Sequence, residues 1–379
     1  MKEVATYRRL FPHIEKGVIY FNHAAVSPMH RRSLQALEAY HRERAEGDIE
    51  FWPGVLTVKD RLKQSIARLI HARPEQIALV GNTSIGLNIL ANGLDWRPGD
   101  RILLNNFEFP ANVYPFLNLR RRGVEIDFVP HHEGRIPLEA LSRRITSRTR
   151  LLSISFVEFL NGFRNDLQAV GELCRRRGII FCVDGIQGVG ALELDVEQLG
   201  IDFLANGGQK WLMWPQGLAF ISVAPRIFEQ LYPVFAGWLS VEDAWDFLDY
   251  RLNFLPDAAR FEPGTLNVPG MIGALASMEW FLQIGIPRIE QRILHLTDTL
   301  IQGLQQQGYR LFTVTESKFR SGIVTFFHQR AESLWEFLKT QKIHVSLRQG
   351  MIRVSPHFYN TMDEIQAFLE ALTYFDQNM

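Results

Sequence analysis

Lys210 lies in the stretch "ANGGQKWLMWPQG", between two glycines and two tryptophans. The apolar run "IDFLANG" just before it is typical of a strand that ends near the lysine. Flanking tryptophans exclude water, and a desolvated amine loses its proton readily, so it can serve as a nucleophile or a base. The ordinary alternative is a lysine that reaches solvent along its own aliphatic chain.

An aspartate and a predicted helix start can join this lysine at one edge of a sheet. Asp184 ends the apolar run "IIFCVD", where a carboxylate needs a partner: an arginine, a helix N-terminus or a protonated ring nitrogen. The 26 positions from Asp184 to Lys210 accommodate one helix and one strand, which brings both to the same edge. In "LVGNTSIGLNIL", Thr83 and Ser84 begin a predicted helix, either as ordinary N-cap residues or as an anion site. The combination suggests pyridoxal 5′-phosphate, with a Schiff base at Lys210, the ring nitrogen at Asp184 and the phosphate at the helix start.

The elements that must position these residues follow an α/β pattern. From about residue 75, helical stretches alternate with short apolar runs, which are typical of a sheet covered on both faces: "QIALV", "DRILLNN", "VEIDFVP", "TRLLSISFV", "IIFCVDG", "IDFLANG" and "GLAFISV". After about residue 225 the pattern becomes irregular and aromatic-rich, and a smaller α+β unit follows. The predicted units are an N-terminal segment, 1–15, that packs near the small domain, a large cofactor-binding domain, 16–262, and a small domain, 263–379.

The composition excludes several classes of protein. Acidic and basic residues balance at 41 each without a polybasic block, which argues against a nucleic-acid partner. No apolar run of membrane-spanning length occurs, and the two cysteines fit a reducing compartment, so we expect a cytoplasmic protein without a membrane partner. The histidines lack metal-ligand spacing, so no metal site is expected. A nicotinamide oxidoreductase is disfavoured because G-x-G-x-x-G fails after Gly188 and Gly190.

The order of motifs along the whole chain resembles the class V aminotransferases, a family of fold-type I pyridoxal phosphate enzymes that includes cysteine desulfurases, kynureninases and isopenicillin-N-epimerase-like proteins. The resemblance is carried by seven segments: "YFNHAAVSP", "GNTSIGLNILANGL", "EFPANVYPF", "VDGIQGVGALELDV", "GGQKW", "RFEPGTLNVPG" and "MIRVSPHFYNTMDEI". It implies a large domain with a mainly parallel seven-stranded sheet between helices, and a smaller α+β C-terminal domain.

The resemblance also implies roles for further cofactor-binding residues. Phe109 matches a residue that stacks on the cofactor ring, where the ordinary alternative is a buried core aromatic. Gln187 matches a hydrogen-bond partner of the ring 3′-oxygen, and otherwise is a solvated loop residue. Thr265 matches a threonine that reaches the phosphate of a neighbouring subunit, which implies a homodimer with shared active sites; the alternative is a helix N-cap. Trp238 is a candidate for the same interface, and otherwise a packed loop aromatic.

Substrate binding is expected in part from the small domain. Arg353 matches the family arginine that grips the α-carboxylate of an amino-acid substrate, as its planar fork allows; otherwise it is a strand-face salt bridge. Arg348 is a second candidate. His23, in "YFNHAA", is a third, and its alternative is a plain loop histidine.

Two departures from the relatives affect the expected chemistry. "VSLRQGMIRVS" joins its two strands by barely a turn and has no cysteine, so sulfur transfer through a protein persulfide is disfavoured. Gln209 stands where many relatives carry histidine, and Gly207 where they carry a phosphate-binding serine; Gln209 can still donate a hydrogen bond to the cofactor. We therefore expect transamination first and a C–S lyase or epimerase second, with a non-catalytic, cofactor-holding relative as the alternative from another class.

Overall fold

The computed structural model describes residues 2–47, 49–50 and 52–379. In chain order, the helices in this part of the chain are α1 Lys2–Arg8, α2 Pro12–Glu15, α3 Arg31–Glu46, α4 Trp52–Ile70, α5 Thr83–Gly93, α6 Tyr114–Leu117, α7 Leu138–Arg144, α8 Leu167–Arg177, α9 Pro225–Phe228, α10 Val268–Ile284, α11 Ile286–Gln306, α12 Ala331–Thr340 and α13 Met362–Asn378. The strands are β1 Ile19–Tyr20, β2 Ile77–Val80, β3 Arg101–Asn105, β4 Glu125–Val129, β5 Thr149–Ser155, β6 Ile180–Asp184, β7 Phe203–Gly207, β8 Ala219–Val223, β9 Val324–Phe327, β10 Ile343–His344, β11 Ser346–Arg348 and β12 Met351–Val354.

The large domain is built on a seven-stranded sheet in the order β2-β8-β7-β6-β5-β3-β4. Only β8 runs against the others, because it pairs antiparallel with both of its neighbours. Alternate residues along β6 and β7 join different clusters of buried apolar side chains: Val183 and Leu204 on one face, Cys182 and Phe203 on the other. Burial on both faces explains why the strands are nearly continuous apolar runs, and it confirms the predicted mainly parallel sheet between helices.

The small domain is an antiparallel sheet, in the order β11-β12-β9, packed against helices. Its core joins Phe326 of β9 with Leu300 of α11, Leu338 of α12 and Phe368 of α13. The chain's start belongs to this neighbourhood as well, since β1 pairs with β10. Within the N-terminal segment, Arg8 forms an ion pair with Glu364 at 2.8 Å.

A glycine separates the two long helices that follow the large domain. The helical stretch breaks at Gly285, whose φ of +89° lies in the left-handed region that favours glycine. Helix α10 packs back onto the large domain: the Ser33 hydroxyl of α3 donates to the Gly273 carbonyl at 2.7 Å. The domain boundaries themselves stay a prediction. None of the helices in the described ranges is both long and apolar enough to cross a membrane.

Candidate active site

Asp184 and Lys210 emerge from neighbouring parallel strands at one edge of the large sheet. Asp184 is the last residue of β6, and Lys210 follows the end of β7 by three residues. Burial lowers the pKa of Lys210 to about 8; the Asp184 charge opposes this shift, and the Arg353 and Arg348 charges add to it. A substantial share of the amine is therefore neutral near physiological pH, as a nucleophile or base requires.

The two oxygens of the buried Asp184 carboxylate differ in their hydrogen bonding. Its Oδ1 accepts a hydrogen bond from the Ile186 backbone N–H at 3.0 Å, whereas Oδ2 is buried without a partner among the residues that the structure describes. Burial raises the pKa of Asp184 to about 6, against the opposing effects of the Ile186 N–H and the Lys210 charge. A buried acceptor of this kind calls for a donor that the protein itself does not supply. A protonated ring nitrogen has that chemistry.

The N-terminus of α5 presents a second unpartnered atom. Asn82, rather than Thr83 or Ser84, is the N-cap, because its side chain accepts from the Ile85 N–H at 2.9 Å. The N-cap alternative for Thr83 and Ser84 is therefore wrong. The Thr83 Oγ1 is buried and has no hydrogen-bond partner in the described ranges, and Ser84 is exposed. A free hydroxyl beside the unpaired N–H groups of a helix start suits an anion.

Gly207 keeps the space beside this helix start open. A Cβ on Gly207 would lie 3.0 Å from the Thr83 Oγ1 and 2.6 Å from the Gln209 Oε1. Gln209 is partly buried, and its backbone carbonyl accepts a hydrogen bond from the Ser27 backbone N–H at 2.9 Å. The Thr83 hydroxyl thus borders the space beside the Gly207 Cα, where it can donate to a small anionic group, whereas the Gln209 oxygen is an acceptor and must give way to its own amide N–H to do the same.

The Gln187 amide is oriented by two protein contacts. Its Nε2 donates to the Ala24 carbonyl at 3.0 Å, and its Oε1 accepts from the Trp211 indole N–H at 3.1 Å. Gln187 is buried, so the solvated-loop alternative is wrong. Because Trp211 engages the oxygen, the remaining capacity of the amide is chiefly one N–H. A ligand atom that this N–H contacts is an acceptor, such as a ring oxygen.

Phe109 stands at the surface of the site rather than in the core. Its side chain is 44% exposed, with its ring 5.3 Å edge-on from that of Phe159. The Lys210 Nζ lies 5.7 Å from the Phe109 ring centroid. The buried-core alternative is therefore wrong, and one aromatic face remains available near the amine.

Arg353 is buried without a carboxylate partner. Its Nη1 donates to the Phe159 carbonyl at 2.6 Å and its Nη2 contacts the Ser346 hydroxyl at 3.5 Å, while Nε has no partner. The salt-bridge alternative fails, because no acidic side chain of the described residues pairs with Arg353. Burial lowers its pKa to about 9, and the Arg348 charge adds to the effect. An unpaired buried guanidinium is costly, so its arrangement favours binding of an anion.

The surroundings of His23 do not favour its predicted contact with substrate. The ring is fully buried, with Nδ1 at 2.8 Å from the Ser355 carbonyl and Nε2 at 2.9 Å from the Tyr359 hydroxyl. Burial holds its pKa well below the usual range, so the ring is neutral: Nδ1–H donates to Ser355 and Nε2 accepts from Tyr359. His23 joins the segment that follows β1 to the small domain, which is a structural role.

Thr265 is exposed and is not a helix cap. The N-cap of α10 is Asn267, whose side chain accepts from the Gly270 N–H at 3.0 Å. Thr265 borders a surface cavity with Tyr40 and Trp52. Trp52 in turn stacks on Trp238, with ring centroids 6.2 Å apart. The structure therefore leaves Thr265 free on a surface rich in aromatic side chains.

Comparison with known proteins identifies the family to which this site belongs. The family model described as aminotransferase class-V matches residues 19–368. The chain belongs to this family. Class-V aminotransferases are pyridoxal phosphate enzymes, so the protein is a transferase or lyase that uses this cofactor.

Class-V relatives cover nearly the whole chain. A probable cysteine desulfurase of Pyrococcus abyssi is 28% identical over 95% of this chain and 94% of its own length. An uncharacterized aminotransferase, YcbU, of Bacillus subtilis is 25% identical over 97% and 96%. The apo cysteine desulfurase of Thermococcus onnurineus NA1 has the same fold, with a TM-score of 0.90 at 24% identity over 99% and 98% of the two chains. The cystine C–S lyase C-DES, solved with its product cysteine persulfide, gives a TM-score of 0.89 at 24% identity over 96% and 98%.

The residues of this class-V site fit the cofactor. The unpartnered Asp184 Oδ2 suits a protonated ring nitrogen, and the unpartnered Thr83 Oγ1 at a helix start suits a phosphate. The Lys210 amine, with its lowered pKa, suits an aldehyde. The described residues contain no group of three side chains able to hold a metal ion.

Two carboxylates near the class-V site were missed in the sequence. Asn105 bridges them, since its Nδ2 donates to Glu108 at 2.7 Å and to Glu158 at 3.3 Å. Burial raises the pKa of Glu108 to about 7 and that of Glu158 well above its usual range, and the Asp184 charge contributes to both shifts. Glu108 also accepts from the Ser155 backbone N–H at 2.8 Å and hydroxyl at 2.6 Å. The carboxylate next to Phe109 thereby fixes the end of β3 to the end of β5.

Proposed function

We propose that the protein transforms α-amino acids at Cα with pyridoxal phosphate held at Lys210, and that transamination is its main reaction. The observation that carries the proposal is the unpaired, buried Arg353 guanidinium whose charge acts on the Lys210 amine. A guanidinium fork is a receptor for an α-carboxylate, and the amine is a base for the neighbouring Cα. The same arrangement counts against a non-catalytic, cofactor-holding relative.

Each residue of the site has a role in this proposal. When bound, pyridoxal phosphate supplies an aldehyde that joins Lys210 and a protonated ring that withdraws electrons from Cα. Asp184 holds the ring proton through Oδ2, and the start of α5, with Thr83, holds the phosphate. Arg353 fixes the substrate carboxylate and so orients Cα. The Lys210 amine, a substantial share of which is neutral near physiological pH, then accepts the Cα proton.

Phe109, Gln187, Gln209 and Ser84 complete the proposed cofactor site. The free face of Phe109 covers the ring, and the remaining N–H of Gln187 donates to the ring oxygen. Gln209 donates near Gly207 once its amide turns so that Nε2, instead of Oε1, faces this space. Ser84 contributes its backbone N–H at the first turn of α5, because its exposed side chain has a less favourable position.

C–S bond cleavage is the second candidate, and the names of the relatives favour it. Cysteine desulfurases and a cystine C–S lyase are among the similar proteins. Sulfur transfer through a protein thiol is disfavoured, because both cysteines are buried in the large domain and burial raises the pKa of the Cys174 thiol to about 12. Cleavage would therefore have to release the sulfur species directly. Epimerisation is a further possible outcome of the same Cα chemistry.

We also propose a cytoplasmic homodimer in which Thr265 reaches the partner's phosphate. The exposed Thr265 and the aromatic surface around Trp52 and Trp238 support this arrangement. Free, buried cysteines fit a reducing compartment. Mixing inactive Lys210→Ala subunits with Thr265→Ala subunits tests the sharing: hybrid dimers should regain activity at one intact site, whereas Thr265→Ser subunits need no rescue. Restored activity without subunit exchange, or a monomer by sedimentation, contradicts it.

An amino-acid panel tests the reaction. We expect a visible cofactor band that borohydride bleaches and that is lost in Lys210→Ala. Amino acids should perturb the band and yield keto acid; sulfide or inverted amino acid as the main product would replace transamination by one of the alternatives. Arg353→Gln should weaken the binding of α-amino acids at least tenfold, yet leave the binding of the matching decarboxylated amines unaffected. A colourless protein that does not bind added pyridoxal phosphate would contradict the proposal.

A further inference from the structure

Arg348 and Arg353 face the same side of one short hairpin. The register of β11 and β12 places Ser346 opposite Arg353 and Arg348 opposite Met351. Residues directly opposite one another share a face of the sheet, and so do residues two apart on one strand. Only Gln349 and Gly350 connect the strands, both with positive φ, so the turn holds Arg348 close to the strand that carries Arg353.

The charges of these two arginines are not compensated by the protein. Within the described part of the chain, Arg353 hydrogen-bonds only a carbonyl and a hydroxyl, and Arg348 only the Leu347 carbonyl at 3.2 Å. The segment 341–360, which contains both, has no acidic residue, and no ion pair joins either arginine to an acid of the described chain. The Arg348 charge lowers the pKa of both Arg353 and Lys210, so it acts inside the site although the side chain is exposed.

We propose that the natural substrate is a dicarboxylic α-amino acid, whose α-carboxylate binds Arg353 and whose side-chain carboxylate binds Arg348. This inference rests on the proposed function, since it assumes an α-amino acid at Arg353. One carboxylate would neutralise only the buried guanidinium, and the second cation would remain unpaired. A second carboxylate pairs with it, whereas a cationic side chain is repelled. The exposed position of Arg348 places the selective contact at the mouth of the site.

Matched pairs of amino acids test the proposal. The absorbance change of the bound cofactor reports dissociation constants for aspartate against asparagine and glutamate against glutamine, which differ mainly in charge. We expect the better acid to bind about tenfold more tightly than its amide, the effect of one charge-assisted contact. This preference should shrink as ionic strength rises, because the contact is partly exposed.

Variants assign the preference to Arg348. Arg348→Gln should bring the acid-to-amide ratio close to one, and Arg348→Lys should keep part of it, because the charge remains. Arg330→Gln, an exposed arginine of the same domain outside the site, is the matched control and should keep the full ratio.

Two outcomes would overturn the inference: amides that bind as tightly as the acids in the parent enzyme, or a preference that survives in Arg348→Gln. These outcomes leave the proposed function intact. If no amino acid perturbs a cofactor band that Lys210 clearly forms, it is the proposed function that fails. The two failures are therefore distinguishable in the same titration.

Discussion

The carboxylate of Asp184 and the amine of Lys210, on the adjacent strand ends of β6 and β7, each oppose the effect of burial on the other. Burial lowers the pKa of Lys210 and raises that of Asp184, and the opposite charge of the partner limits both shifts. The pKa values of both groups therefore stay closer to the pH range in which a cell operates than burial alone would leave them. This balance makes the two residues sensitive to each other's substitution.

We expect the reactivity of Lys210 to follow the titration of its amine. The rate of reductive methylation at Lys210 in the apoenzyme, followed by mass spectrometry, should rise with pH to a midpoint of about 8, because only the neutral amine reacts. In Asp184→Asn the midpoint should move to lower pH, since the carboxylate that favours the charged amine is gone. A midpoint that Asp184→Asn leaves in place would contradict the coupling.

Asp184→Asn should stabilise the apoenzyme while weakening its cofactor binding. The pKa of Asp184 is raised from 3.8 to about 6, so the folded state holds its proton more tightly than the unfolded chain. Its ionisation therefore lowers stability as pH rises from about 4 to about 6, by up to about 3 kcal/mol. Urea unfolding of the apo proteins should show the variant gaining stability at pH 7.5 and not at pH 4. Equilibrium dialysis should show weaker pyridoxal phosphate binding, and a variant that binds it equally well would refute the role of Oδ2.

Gly207→Ser should strengthen cofactor binding, and Gly207→Ala should not. A Cβ at this position lies 3.0 Å from the Thr83 Oγ1, so a serine hydroxyl would join the predicted phosphate site. The close approach to the Gln209 Oε1 involves the end of a flexible side chain, which can move. We expect a severalfold lower dissociation constant for pyridoxal phosphate in the serine variant, about 1 kcal/mol from one additional hydrogen bond. An equal gain in the alanine variant would point to rigidity of the backbone instead.

Glu158→Gln should reduce the loss of stability at alkaline pH. Burial raises the pKa of Glu158 well above the usual range, and that of Glu108 to about 7. A carboxyl group whose pKa is raised in the folded protein contributes stability that is lost as the pH rises from its unfolded pKa, near 4.5, through its folded pKa. The melting temperature should thus fall less between pH 6 and pH 9 in Glu158→Gln than in the parent. Glu158→Ala controls for packing: it should be less stable at every pH, since it leaves a cavity.

The sheet edge was predictable because the signals for Asp184 and Lys210 are local. Each follows a continuous apolar run, and an interval of one helix and one strand places parallel strand ends side by side. The same reasoning did not choose a helix cap in "GNTS", where Asn82, Thr83 and Ser84 are all good capping residues. Only the backbone geometry selects Asn82, and that choice leaves the Thr83 hydroxyl free.

Glu108 and Glu158 were not predictable, because their burial depends on pairing between distant strands. "NNFEFPAN" has the asparagines and the proline of an exposed turn, in which a carboxylate is expected to be solvated. β3 and β5 are adjacent in the sheet, although 43 residues lie between the last residue of β3, Asn105, and the first residue of β5, Thr149. His23 is a similar case, since the partners that fix both ring nitrogens, Ser355 and Tyr359, lie more than 300 residues further along the chain.

Trp211, the residue next to Lys210, also contacts the small domain. Its indole N–H holds Gln187, and its carbonyl accepts a hydrogen bond from the His357 Nε2 at 3.0 Å. This hydrogen bond ties the backbone beside Lys210 directly to the segment that follows β12. A second contact of the same kind, from the Arg353 Nη1 to the Phe159 carbonyl, holds the carboxylate-binding hairpin itself, so the spacing between the lysine and the arginine is fixed at two points.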